Sequence, residues 1–166
     1  RQDLDHPNYQ FVAARLLLFA LRKQVFGRIH DHPPLIEQVK NCVEAGVYDR
    51  ELLNLYTEEE FAKLETFIDH DRDYLFTYAG LRQIVDKYLV QDRSTGALYE
   101  SPQFMYLLIS ASIFSKYPED TRLDYIKKYY DAISKHRINI PTPIMAGVRT
   151  PIPVSYTHLT LPTTLS

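Results

Sequence analysis

The side chains best equipped for chemistry in this chain are two short histidine–acid sets and a thiol. The sets are His30-Asp31-His32 and the run Asp69-His70-Asp71-Arg72-Asp73; the thiol is Cys42, the one cysteine of the sequence. Imidazoles among carboxylates suggest a metal centre, and Asp at alternate positions is how a calcium loop begins. Such a loop needs glycine at its sixth position and glutamate at its twelfth. Counting from Asp69, those positions hold Tyr74 and Gly80, so the calcium reading fails. The carboxylates are expected instead to pair locally with Arg72 and to favour the start of the following helix. No metal ligand is assigned.

Cys42 lies on an apolar helical stripe with nothing nearby to lower its pKa, which marks a buried structural thiol and not a nucleophile. The 13 tyrosines read as core and interface residues with a polar tip. Lys127 and Lys128, ahead of Tyr129 and Tyr130, read as the solvated side of a helix. There is no glycine-rich phosphate loop and no Ser–His–Asp spacing. Catalytic residues are therefore not assigned to this chain.

The elements that would carry these residues are mainly helical. At 166 residues, with 45% apolar and 24% charged residues, the chain suits one domain with a substantial core. A net charge of −2 offers no basic field for nucleic acid. The richest apolar run, residues 11–26, is interrupted by Arg15 and Arg22, so no membrane span is expected. The lone cysteine fits a reducing, cytoplasmic compartment. The opening residue is Arg1, and the first residues read as a linker in a sequence cut from something longer.

A first helix is expected from near Pro7 to Gly27; Leu16, Leu17, Phe19, Ala20 and Leu21 leave it apolar nearly all round, and so buried. A second carries Leu35, Ile36, Val39, Cys42 and Val43 on one stripe and ends at Gly46. Thr57 and Glu60 form a capping box at the head of a third. Another is expected from Asp71 to Tyr88. The stretch "YLVQDRSTGALYE" then reads as a small β-hairpin. Ser101 and Pro102 restart a helix as cap and first residue, and a last helix buries Leu123, Ile126, Tyr130 and Ile133. "INI" at 138–140 begins an extended piece.

Taken in order, "YTEEEF", "FIDHDRD", "KYLVQDR", "GALYESPQFMY", "TRLDYIKKYYDAIS" and "PTPIMAGVRTP" are not generic. From about Leu4 to Pro151 the chain resembles the large (α) subunit of class I ribonucleoside-diphosphate reductase, in its bacterial form. The resemblance implies a helical N-terminal domain over 1–137, with the start of a ten-stranded α/β barrel over 138–152. It places this region after an N-terminal nucleotide-regulatory domain. It also implies a parent enzyme that replaces a ribose 2′-hydroxyl by hydrogen. There, a radical from a metal-containing small (β) subunit reaches an active-site cysteine, and a cysteine pair, re-reduced by thioredoxin or glutaredoxin, supplies electrons. Cys42 matches none of those cysteines, so this fragment is expected to be inactive alone.

The implied partners are the β subunit, a ribonucleoside diphosphate substrate and a second α subunit; ATP or dATP and other nucleotides are the implied effectors. Residue by residue, Thr142 matches a threonine that contacts the substrate diphosphate, with Pro141 and Pro143 restricting the backbone on either side. Lys23 matches a lysine that reaches the ATP or dATP effector. The competing class is a free-standing helical interaction module without catalysis. Flanking coding DNA separates the two, because only a reductase is followed by a cysteine-bearing barrel strand.

After "VRTP" the character of the sequence changes: residues 150–166 contain no Asp, Glu, Lys or Arg. "VSYTHLTLPT" is also the translation of a sequencing-adapter end, GTC TCT TAT ACA CAT CTG ACG CTG CCG ACG. Residues 153–166 are accordingly read as a non-biological tail and set aside.

Overall fold

The computed structural model describes residues 7–151. The adapter-like tail lies outside the described residues. Helix α1 (Tyr9–Phe26) ends at Gly27, whose φ of 72° closes the helix by donating its N–H to the Lys23 carbonyl. Helix α2 (Leu35–Glu44) buries Leu35, Val39 and Cys42. A short α3 (Leu52–Leu55) leads to α4 (Glu58–Glu65), headed by the capping box between Thr57 and Glu60. After α4 come a 3-10 turn (His70–Leu75), α5 (Tyr78–Lys87), α6 (Pro102–Ile113), α7 (Arg122–Ser134) and α8 (Thr142–Gly147).

Helix α6 is the axis of the core. Its sequence, PQFMYLLISASI, has no charged residue, and every position from Pro102 to Ala111 is buried. That is what an all-round apolar helix requires of its neighbours. Helix α7 packs along one side of it, while α1 packs along α5 and α2 along α4. Phe61, Leu64, Leu81, Ile126 and Tyr130 close the core around it. Among the described residues, no helix is long and apolar enough to cross a membrane.

The structure corrects the sequence reading of the extent and type of elements in four places. First, α1 is not buried all round: Leu16 is 64% exposed, and only Ala14, Leu18, Leu21 and Arg22 are enclosed. Second, the helix expected from Asp71 to Tyr88 is broken. Asp69 caps the amide of Asp71, starting a 3-10 turn, and Thr77 caps Gly80 to start α5 afresh. Asp73, held by Arg22, fixes the orientation of the turn between them.

Third, the expected β-hairpin is absent among the described residues; one antiparallel bridge, Gln91–Leu98, stands in its place. The backbone groups that would extend a ladder are taken by side chains. The Glu100 carboxylate accepts the Val90 amide at 2.9 Å, and Gln38 donates to the Tyr99 carbonyl at 2.7 Å. At the tip, Asp92 captures the Ser94 amide at 2.8 Å, and Gly96 turns the chain at φ 74°. Fourth, no barrel strand begins within 138–151: residues 142–147 are helical, and 138–140 form no ladder. Pro143, with no N–H to lose, fits a first helical turn, and the Pro141 carbonyl accepts the Ile144 amide at 3.0 Å.

Candidate functional site

Thr142 opens α8 with its side chain exposed. Its Oγ1 lies 3.2 Å from the hydroxyl of Tyr88, the residue that ends α5. Tyr88 also lines a cleft of about 530 Å³, together with Ile84, Tyr106, His136, Asn139 and Met145. His136 enters this cleft from the end of α7 with a left-handed backbone, φ 57°, and burial lowers its pKa. The walls are thus half aromatic and aliphatic, with hydroxyl, amide and imidazole groups at fixed places.

A buried ion pair holds the two hydroxyl-bearing segments together. Arg149 and Glu100 are both fully enclosed and paired through Nη2 and Oε1. Arg149 also donates from Nη1 to the Met145 carbonyl in α8 at 2.5 Å, and from Nη2 to the Tyr88 carbonyl at 2.9 Å. Glu100 in turn accepts from the Tyr48 hydroxyl at 2.5 Å. Burial and the Glu100 charge beside it push the Tyr48 pKa well above its usual range, so the phenol stays protonated and donates. Each charge in the cluster has partners, the condition under which burying it is tolerable. The sequence reading missed this cluster. The available signal was two charged residues, Glu100 and Arg149, set in otherwise uncharged stretches.

Lys23 is placed elsewhere, exposed on the last turn of α1. Its ammonium forms no ion pair among the described residues. One solvated charge is compatible with a phosphate contact, but a nucleotide site needs further groups around it. The structure therefore does not bring Lys23 and Thr142 into one site.

The two histidine–acid sets, far apart in sequence, meet in space. The rings of His32 and His70 stack with centroids 3.6 Å apart and planes 5° from parallel, and Phe104 stands edge-on to His70. Burial is the main cause lowering both pKa values, to about 4 for His32 and about 3 for His70, with the nearby Arg22 charge adding to it. Asp73 pairs with Arg22 at 3.1 Å and accepts from Gln103 at 2.8 Å; Arg72 reaches Asp131 at 2.7 Å. Asp73 therefore ties its turn to the fold across long sequence separations, whereas the Arg72–Asp69 pair, at 3.6 Å, and the exposed Arg28–Asp31 pair, at 3.1 Å, are local as expected. Among the described residues, no group of three or more His, Cys, Asp or Glu side chains could hold a metal ion. Cys42 is buried, and burial with the nearby Glu100 charge pushes its thiol up to about 12. Such a thiol is not ionised near neutrality.

The comparison with known proteins agrees with this all-helical picture. Residues 74–153 match the family model described as "Ribonucleotide reductase, all-alpha domain". Over 147 residues, 89% of this chain, it is 55% identical to the ribonucleoside-diphosphate reductase 1 subunit alpha of Escherichia coli (strain K12). It is 56% identical over the same share to the subunit alpha of Haemophilus influenzae (strain ATCC 51907 / DSM 11121 / KW20 / Rd). It is 47% identical over 90% of the chain to the corresponding subunit of Enterobacteria phage T4. The chain spans only about a fifth of the length of these relatives, 19% of the first two and 20% of the third. The family-model match spans both Glu100 and Arg149, and with the identity over 89% of the chain it shows that the chain belongs to the family of ribonucleoside-diphosphate reductase α subunits, of which it carries a segment that includes the all-alpha domain match.

Proposed function

We propose that this chain is the helical part of an α subunit whose whole protein reduces ribonucleoside diphosphates to deoxyribonucleoside diphosphates for DNA synthesis, and that it does not catalyse that reaction alone. The observation that carries the first half is the 55% identity to a reductase subunit across nearly all of the chain. The second half rests on Cys42. It is the only cysteine, it is buried, and its thiol is held protonated, so the chain has neither a redox pair nor an accessible radical-bearing sulfur.

Within the whole subunit, Thr142 is the residue that donates its hydroxyl to the substrate diphosphate, and Lys23 is the contact for the ATP or dATP effector. Support for the threonine comes from its exposure and from the polar cleft beside it. The exposed ammonium of Lys23 is free to reach a phosphate supplied from another part of the subunit. The partner is a β subunit that delivers the radical, the whole α subunit pairs with a second copy, and the compartment is the cytoplasm. Thioredoxin or glutaredoxin returns the whole enzyme's cysteines to the thiol state.

The test is to incubate the purified chain with a small subunit, a dithiol and a ribonucleoside diphosphate. No deoxyribonucleotide is expected, and turnover by the isolated chain would refute its inactivity. Restoring the rest of the α subunit around it should restore reduction.

A further inference from the structure

We propose that Tyr88 is a positioning residue for Thr142: its hydroxyl holds the threonine rotor so that the threonine proton points outward to a phosphate oxygen. This rests on the reading of Thr142 as the diphosphate contact. The two hydroxyls are 3.2 Å apart. That is at the long end for an O–H···O bond, whose usual spacing is about 2.7–2.8 Å. Each hydroxyl has a single proton and two acceptor positions. When the Tyr88 phenol donates to Thr142 Oγ1, the threonine keeps its own proton for the ligand. Donation in series polarises the second hydroxyl and strengthens its bond to an anion.

The pairing does not depend on a floppy side chain. The phenol belongs to the residue that ends α5, and the threonine to the residue that begins α8. One guanidinium, that of Arg149, donates to the backbone carbonyl of Tyr88 at 2.9 Å and to that of Met145 at 2.5 Å. Arg149 is fully buried and is held by Glu100. The spacing of the two hydroxyls is therefore set by a frame inside the core, while the hydroxyls themselves stand at the surface. A surface threonine without this frame would sample its rotamers freely, and that freedom would be lost on each binding event.

The experiment uses the full-length α subunit assembled with its small subunit. Tyr88→Phe keeps the ring and removes only the hydroxyl. We expect the KM for a ribonucleoside diphosphate to rise about three- to ten-fold, the worth of one neutral hydrogen bond, with kcat changing less. Thr142→Ala should also raise KM, and Tyr88→Phe combined with Thr142→Ala should be no worse than Thr142→Ala alone, because the tyrosine acts through the threonine. If Thr142→Ala raises KM and Tyr88→Phe does not, this proposal falls and the reading of Thr142 stands. Fully additive effects likewise overturn it, as does a lowered thermal midpoint in Tyr88→Phe with an unchanged KM. If Thr142→Ala leaves KM unchanged, both readings fall.

Discussion

At the scale of single residues, burial sets the chemistry of this chain more than residue type does. His70 is a histidine that cannot charge at neutral pH, since burial, His32 and Arg22 all disfavour its cation. Its folded pKa lies below the ordinary 6.5, so the unfolded chain binds the proton first as pH falls. Stability is then complete above pH 6.5 and declines as pH drops through the window toward about 3. His70→Phe should flatten that decline, recovering about 1–2 kcal/mol near pH 5, read from urea midpoints at pH 7.5 and 5. An unchanged slope would contradict the assignment.

Glu100 makes a second case. Glu100→Ala strands the Arg149 cation in a fully enclosed site, which should cost about 3–5 kcal/mol in urea denaturation. Neither pairing can be read in the sequence, because no period or motif links residue 32 to 70 or 100 to 149. Only the fold decides those contacts.

At the scale of elements, caps separate what could be read from what could not. Thr57 accepts from the Glu60 amide at 3.1 Å, and Glu60 returns the bond to the Thr57 amide at 3.2 Å. This box is local chemistry, and the spacing alone identifies it. Ser101 has the same look ahead of Pro102, yet its hydroxyl makes no cap bond and is buried without a partner. Thr57→Ala should therefore cost about 1 kcal/mol, whereas Ser101→Ala should change stability by less than about 0.5 kcal/mol, both by chemical denaturation. A loss at Ser101 as large as at Thr57 would show that the serine caps after all.

The helix stripes at Leu35–Val43 and Ile126–Ile133 were legible for the same reason as the box, since the helical period is a local property. The expected hairpin does not form because β-prone residues make a ladder only where a partner strand offers free backbone groups. Here Glu100 and Gln38 had already taken them.

At the scale of the molecule, several large apolar side chains stand at the described surface. Leu16 is 64% exposed, Val12 54% and Leu75 51%. The chain also spans about a fifth of the length of its relatives. An isolated chain of this kind should self-associate, and light scattering on the purified chain should show a species heavier than 19.4 kDa. The measurement that bears most directly on the central claim is activity in place. The matching segment of a related α subunit is replaced by residues 5–151 of this chain, and the chimera is assayed with its small subunit. We expect ribonucleoside diphosphate reduction to be retained, and to vanish when the chain is supplied alone. A folded chimera that binds its small subunit and makes no deoxyribonucleotide would contradict the account.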